Sequence, residues 1–239
     1  MDNIEKIKKL KEEKNAIILA HYYVDEEVQK IADYIGDSFY LAKVASQTEA
    51  DRIVFAGVEF MGESAKILNP NKKVLMPDAF ADCPMAHMIT IKEIKEMREK
   101  YDDLAVVCYI NSTAEIKQYA DVCVTSSNAV KIVKALPQKN IFFIPDQNLG
   151  DFVRRQVPEK NVMTNYGHCP RHTNITLDKL NEVKQKYPEA KIAVHPECKR
   201  EIVEAANFVG STSAIIDYVV QTDVKDFIIG TVDGVFAKI

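Results

Sequence analysis

The chain has 239 residues, 47 % of them hydrophobic and 28 % charged, with a formal net charge of −4 and five cysteines. That mix belongs to a globular chain long enough for one large domain or several small lobes, and its mild acidity gives no support to nucleic-acid or membrane-surface partners. No apolar run is long enough to cross a bilayer, and the charged start MDNIEKIKKLKEEK has no signal-peptide core. Sparse, odd-numbered cysteines argue against a disulfide framework, so a reducing, cytoplasmic location is the expectation.

In chain order, short β-branched runs recur: NAIILAHYY, DRIVFAGV, KKVLMPD, DLAVVCYI, NIFFIPD, KIAVHPE and DFIIGTV. Each is nearly all apolar, as buried parallel strands are, and amphipathic segments follow most of them. Thr90 and Thr176 each open a stretch of helical period, and Ser112-Thr-Ala-Glu115 reads as a capping box. The alternation predicts an α/β fold with parallel sheets.

Sliding the chain by 86 places residues 83–133 on 169–219, with Cys83-Pro84 meeting Cys169-Pro170. Sliding by 88 places FAGVEFMGE (55–63) on FIPDQNLGD (143–151), and DFIIGTVDGV (226–235) falls under NIFFIPDQNL (140–149) at 86. One α/β unit is used three times, which predicts three lobes around a pseudo-threefold axis: 1–82, 83–168 and 169–239. The third is expected to lack its last strand and C-terminal segment.

Ligands of open parallel sheets bind beyond the carboxyl ends of strands. There the repeat lines up His21 and Tyr23, Tyr109 and Asn111, and His195 and Glu197; seventeen residues after each first member come Ser38, Ser126 and Thr212. Singly, each of these reads as an ordinary turn or cap residue. As a set at one repeat position, imidazole, phenol, amide, carboxylate and hydroxyls can hold a small polyanion and move protons. Cys83 and Cys169 are equivalent and are expected to point at the same axis, whereas Cys108 and Cys123 lie in apolar runs where a free cysteine is usually a buried hydrophobe. The 86-residue step puts a third equivalent near position 255, beyond Ile239. Three thiolates suit an iron–sulfur cluster with one open iron, and two with His168, His172 or His87 suit zinc.

ILAHYY (18–23), GDS (36–38), NPNKKVLMPD (69–78), DCPMAH (82–87), YINST (109–113), TSSNAV (125–130), PDQNLGD (145–151), GHCPRH (167–172), VHPEC (194–198) and GSTS (210–213) together resemble the quinolinate synthase family of de novo NAD biosynthesis. The resemblance covers essentially the whole chain. It implies a transferase that condenses iminoaspartate with dihydroxyacetone phosphate to quinolinate at a [4Fe–4S] cluster, with a functional link to L-aspartate oxidase. On that likeness Cys83 and Cys169 are cluster ligands, and the third cysteine is expected beyond Ile239. His21, Ser38, Ser126, His195, Ser211 and Thr212 hold carboxylate and phosphate groups. Tyr23 and Glu197 form the proton-transfer pair, with Glu197 the base, and Tyr109 with Asn111 orients substrate. Without the third thiolate, the residues given are expected to bind a cluster poorly.

Two other classes remain. One is a cluster-free variant that binds a small dicarboxylate or phosphate metabolite without turnover, or senses redox state through Cys83 and Cys169. The other is a cysteine hydrolase with His87 or His172 as base.

Overall fold

A computed structural model describes residues 2–239. The chain divides into two compact units, Met1–Cys83 and Pro84–Ile239. Three short parallel sheets are formed among the described residues, making this an α/β protein.

The first unit carries β1 (Ala16–His21), β2 (Tyr34–Gly36), β3 (Arg52–Ala56) and β4 (Lys73–Leu75), in the spatial order β2-β1-β3-β4. The second unit carries a sheet of the same order, β6-β5-β7-β8, from β5 (Leu104–Tyr109), β6 (Val122–Val124), β7 (Asn140–Ile144) and β8 (Asn161–Thr164). It also holds a sheet of β9 (Lys191–Val194), β10 (Phe208–Val209) and β11 (Phe227–Gly230), ordered β10-β9-β11. The third sheet thus repeats the first three strands of the other two. Every apolar run picked out in the sequence contains a strand. The strands outside those seven runs, β2, β6, β8 and β10, are two to four residues long, too short for periodicity to register.

The repeat is written into hydrogen bonds as well as topology. In the first strand of each sheet, one residue exchanges two bonds with a residue 15 positions on. The Ile18 N–H donates to Asp33 Oδ2 at 2.8 Å, the Val106 N–H to Asp121 Oδ2 at 2.7 Å, and the Ile192 N–H to Asn207 Oδ1 at 2.9 Å. The backbone N–H of Asp33, Asp121 and Asn207 returns to the same residue's carbonyl at 2.9, 2.9 and 2.8 Å. These clasps occupy N–H groups that the edge of a short second strand leaves unpaired.

β5 is buried along its whole length, and Ile94, Val106, Cys108, Phe142 and Ile144 pack into one core beneath it. A second core joins Leu180, Ile192, Val194, Cys198 and Ile202 under β9. Two sequence expectations are corrected here. Cys108 is buried but Cys123 is exposed, because β6 is the edge strand of its sheet and only Val124 of its three residues is covered. The cap of helix Ala114–Lys117 is Thr113, whose Oγ1 accepts from Ile116 N–H at 3.3 Å; the Ser112 hydroxyl turns back to the Tyr109 carbonyl at 3.0 Å. Thr90 and Thr176 do cap their helices, Ile91–Lys100 and Leu177–Lys186.

Candidate active site

The strand-end turns of β1 and β9 share one geometry. After β1, the Tyr23 N–H donates to His21 Nδ1 at 3.3 Å and the Val24 N–H to the His21 carbonyl at 3.1 Å. After β9, the Glu197 N–H donates to His195 Nδ1 at 3.3 Å and the Cys198 N–H to the His195 carbonyl at 3.0 Å. With Nδ1 accepting, a neutral ring carries its proton on Nε2, the tautomer that can donate to an anionic oxygen.

In the first unit, the Tyr23 ring packs on His21 with centroids 4.2 Å apart, and its hydroxyl reaches Met61 Sδ at 3.5 Å. Burial is the main reason the phenol is pushed up; a hydrogen bond from the Val58 backbone opposes this, and Cys83 adds to it. Tyr23 is therefore held protonated, close enough to feel the Cys83 thiol. Ser38 opens the helix Ser38–Gln47, but the cap is Asp37, whose carboxylate accepts the Tyr40 N–H at 2.9 Å.

The second unit gathers the densest set. Glu197 is 2 % exposed, and its Oε2 accepts from His172 Nδ1 at 2.7 Å and lies 3.9 Å from His195 Nδ1. The buried Tyr109 phenol lies beside the same carboxylate and interacts with it. Burial alone raises Glu197, but His195, His172 and the hydrogen bonds from His172 and Tyr109 outweigh it and hold the group well below the usual carboxylate range. His195, stacked on His172 at 4.7 Å, is brought by burial down to about 3 against the pull of Glu197, so it is neutral. The donor to Glu197 is thus the His172 N–H. His172 Nε2 lies 3.2 Å from Thr231 Oγ1, which fixes the ring from its far side. The Tyr109 phenol is raised by burial and then by Glu197, and stays a donor.

Cys169 joins this set: its Sγ lies 3.2 Å from His172 Nδ1, and donor atoms of Cys169, His172 and Glu197 fall within 4.8 Å of one another. Asp146 places it. One Asp146 oxygen accepts from Asn148 and Leu149 N–H at 2.8 Å, capping the helix Gln147–Gln156, and the other accepts from Cys169 N–H at 3.1 Å. Burial first and Glu197 second raise the Asp146 carboxyl. The Asn148 side chain donates to the Glu197 carbonyl at 3.1 Å, tying the two loops together. Gly167 of GHCPRH is required because a Cβ there would collide with the Pro145 carbonyl, beside the bond from Gln147 N–H to Gly167 O at 2.8 Å.

The remaining predicted residues stand as follows. Asn111 presents a buried Oδ1 that has no hydrogen-bond partner among the described residues, an acceptor left for something else to satisfy. Ser211 caps helix Thr212–Gln221, accepting from Ala214 N–H at 3.3 Å, and Thr212 is its buried first residue. Ser126 lies in the turn between β6 and helix Ala129–Ala135. Cys83 and Cys169 are half-buried, and each precedes a single helical turn opened by proline, Pro84–His87 and Pro170–Thr173. Cys198 is buried, its Sγ 3.5 Å from the Gly230 carbonyl, and burial and then Glu197 push it up to about 12.

Asp146 was not picked out in the sequence, and His172 only as an alternative ligand or base. The repeat held a signal for both. Asp146 stands where the other units have Val58 and Val232, which cap their helices without side-chain hydrogen bonds, and His172 stands where the second unit has buried Ala86.

Among curated proteins, the quinolinate synthase of Fusobacterium nucleatum is 60 % identical to this chain over 98 % of its length and 78 % of the relative's. The quinolinate synthase of Sulfurihydrogenibium sp. is 55 % identical (97 % and 75 %), and that of Aquifex aeolicus 54 % identical (96 % and 71 %). The chain thus spans about three-quarters of the length of these relatives. The family model described as NadA, quinolinate synthetase A protein, matches residues 5–239. With strand-end turns, cysteines and a buried carboxylate at the positions that carry the likeness, the chain belongs to the quinolinate synthetase A family.

Proposed function

We propose that the chain forms quinolinate in NAD biosynthesis by condensing iminoaspartate with dihydroxyacetone phosphate, with loss of phosphate and water. The observation that carries this reading is the buried carboxylate of Glu197, held by the His172 N–H at 2.7 Å beside the Tyr109 phenol. Such a group is charged and positioned, and its basicity rises once substrate displaces the donors that now stabilise it. Glu197 takes a proton from the substrate carbon or nitrogen, and Tyr109 steadies the carboxylate before transfer and shares the proton after it. His21 and His195, each with Nδ1 occupied by a backbone N–H, direct Nε2–H groups to substrate carboxylate or phosphate. The starts of the helices at Ser38 and Thr212, with Ser126 and Ser211, add donors for the same anions. Asn111 orients substrate through its unpartnered amide oxygen. Tyr23, held protonated, is the second proton donor.

The donor chemistry fits an iron–sulfur cluster. Cys83 and Cys169 are the half-buried thiols that follow Asp82 and His168 and precede proline-opened turns, whereas Cys108 and Cys198 are buried against backbone carbonyls. Cys83 and Cys169 would hold the cluster, and the 86-residue step places the third equivalent near position 255. When bound, it supplies a Lewis acid that polarises a substrate oxygen.

Glu197→Gln tests the assignment. After anaerobic reconstitution with iron and sulfide, quinolinate formation is expected to fall by a factor on the order of 100 or more, while calorimetric binding of quinolinate stays within about threefold. Unchanged turnover overturns the base. The three-donor set Cys169, His172 and Glu197 favours a second reading, a cluster-free binder of a small dicarboxylate or phosphate. Iron and sulfide in near-equal amounts, together with turnover, support the synthase; a single divalent ion with intact binding supports the second reading.

A further inference from the structure

Cys108 and Cys123 are direct cross-strand neighbours. The parallel register of β5 and β6 pairs Val107 with Val122, Cys108 with Cys123 and Tyr109 with Val124. Side chains paired in register leave a sheet on the same face, so the two thiols are neighbours there. Neighbouring strands lie about 5 Å apart, inside the Cα separation of about 4.4–6.8 Å that a disulfide spans. The two sites also differ in the way a sensing pair requires. Cys108 is fully buried, with its Sγ 3.4 Å from the Tyr109 carbonyl, whereas Cys123 is exposed on the edge strand. Exposure and thiolate character together decide which thiol an oxidant meets.

We propose that Cys108 and Cys123 form a thiol–disulfide couple, with Cys123 the attacking thiol and Cys108 the resolving one, oxidised by low-molecular-weight disulfides. The Cys123 thiolate attacks one sulfur of glutathione disulfide; that S–S bond breaks, a mixed disulfide forms on Cys123, and one glutathione leaves. Cys108 then loses its proton to solvent and attacks the Cys123 sulfur, forming the Cys108–Cys123 bond and releasing the second glutathione. Two protein thiols are oxidised and one disulfide is reduced to two thiols. The neighbouring Cys108 thiol, then partial burial opposing it and Lys117 favouring the anion, leave Cys123 at about 7, so a large share of it is thiolate at neutral pH. The bond would lock the edge strand at the residue before Tyr109 and remove the Cys108 S–H from the Tyr109 carbonyl. The couple is independent of the synthase reading, because neither thiol belongs to the set around Glu197.

Trypsin separates the two thiols, since Lys117 lies between them and peptides 101–117 and 118–131 carry one cysteine each. The reduced protein is incubated anaerobically with excess glutathione disulfide, alkylated and digested. The expected product is the linked pair of these peptides, two hydrogens lighter than their sum. In Cys108→Ala, a glutathione adduct on peptide 118–131 is expected instead. Against iodoacetamide at pH 7, Cys123 of the reduced protein should react roughly tenfold faster than in Cys108→Ala, which removes the neighbouring thiol. The solvent-facing Cys123→Ser serves as a folded control in which neither product forms. Absence of the linked peptide, or an alkylation rate at Cys123 unchanged by Cys108→Ala, overturns the proposal.

Discussion

At the end of β1, Tyr23 donates its N–H to His21 Nδ1 at 3.3 Å; at the end of β9, Glu197 does the same to His195. The backbone is therefore one design, and the difference lies in what surrounds the third residue. Around Tyr23 are Met61 and the His21 ring, and the burial they give keeps the phenol neutral against the pull of the Val58 backbone. Around Glu197 are His172, Tyr109 and His195, an environment that keeps a carboxylate charged although it is buried. A repeated fold can thus set a proton donor and a proton acceptor at equivalent positions by changing neighbours alone.

Removing a neighbour should break the contrast most. His172→Ala leaves Glu197 buried with its 2.7 Å partner gone, and is expected to lower stability by about 3–5 kcal/mol, read from the denaturation midpoint. His172→Gln, which keeps a donor, should recover part of it. A loss under about 1 kcal/mol would mean that Glu197 is protonated or hydrated instead. Next, Asp146→Ala orphans three backbone N–H groups, those of Asn148, Leu149 and Cys169, and is expected to cost about 2–3 kcal/mol. The corresponding Val58→Ala removes no side-chain cap, so an equal loss there would erase the distinction between the units.

Acid should sharpen the same contrast. Folded His195 titrates near 3, below its ordinary value of 6.5, so between those values the unfolded chain binds more protons and stability falls as pH falls. The slope approaches about 1.4 kcal/mol per pH unit for the one group. Glu197, depressed in the fold, adds loss of the same sign below the ordinary carboxylate range. His195→Asn should flatten the curve between pH 6.5 and 5; a curve parallel to that of the parent would remove the buried neutral imidazole. The smallest expected effect concerns what the units share. Asp33→Ala and Asp121→Ala each open one clasp and one ion pair, to Lys11 at 2.6 Å and Arg98 at 2.9 Å. Each should cost about 1 kcal/mol, and unequal losses would show that the repeat is geometric without being energetic.

Sequence alone carried the strand-rich skeleton and the threefold use of one unit, because long apolar runs and gapless offsets survive in one dimension. It also aligned Tyr109, His195 and Glu197, and in the fold these three lie close to one another. What it could not carry were contacts set by packing across tens of residues. His172 meets Glu197 across 25 positions and Thr231 across 59, and Asp146 meets Cys169 across 23. Cys123 misled for a related reason: VCV looks like an interior strand, and only its place at the edge of the sheet exposes it.

The clasps have a bearing on how the molecule opens. The amides of Ile18, Val106 and Ile192 sit in equivalent bonds of equal span, one in each sheet. Hydrogen exchange at an amide reports the free energy of the smallest opening that frees it. Because the local chemistry of the three sites is so closely matched, differences among their exchange rates read out the relative cooperativity of three subglobal openings inside one chain, each sheet calibrating the other two.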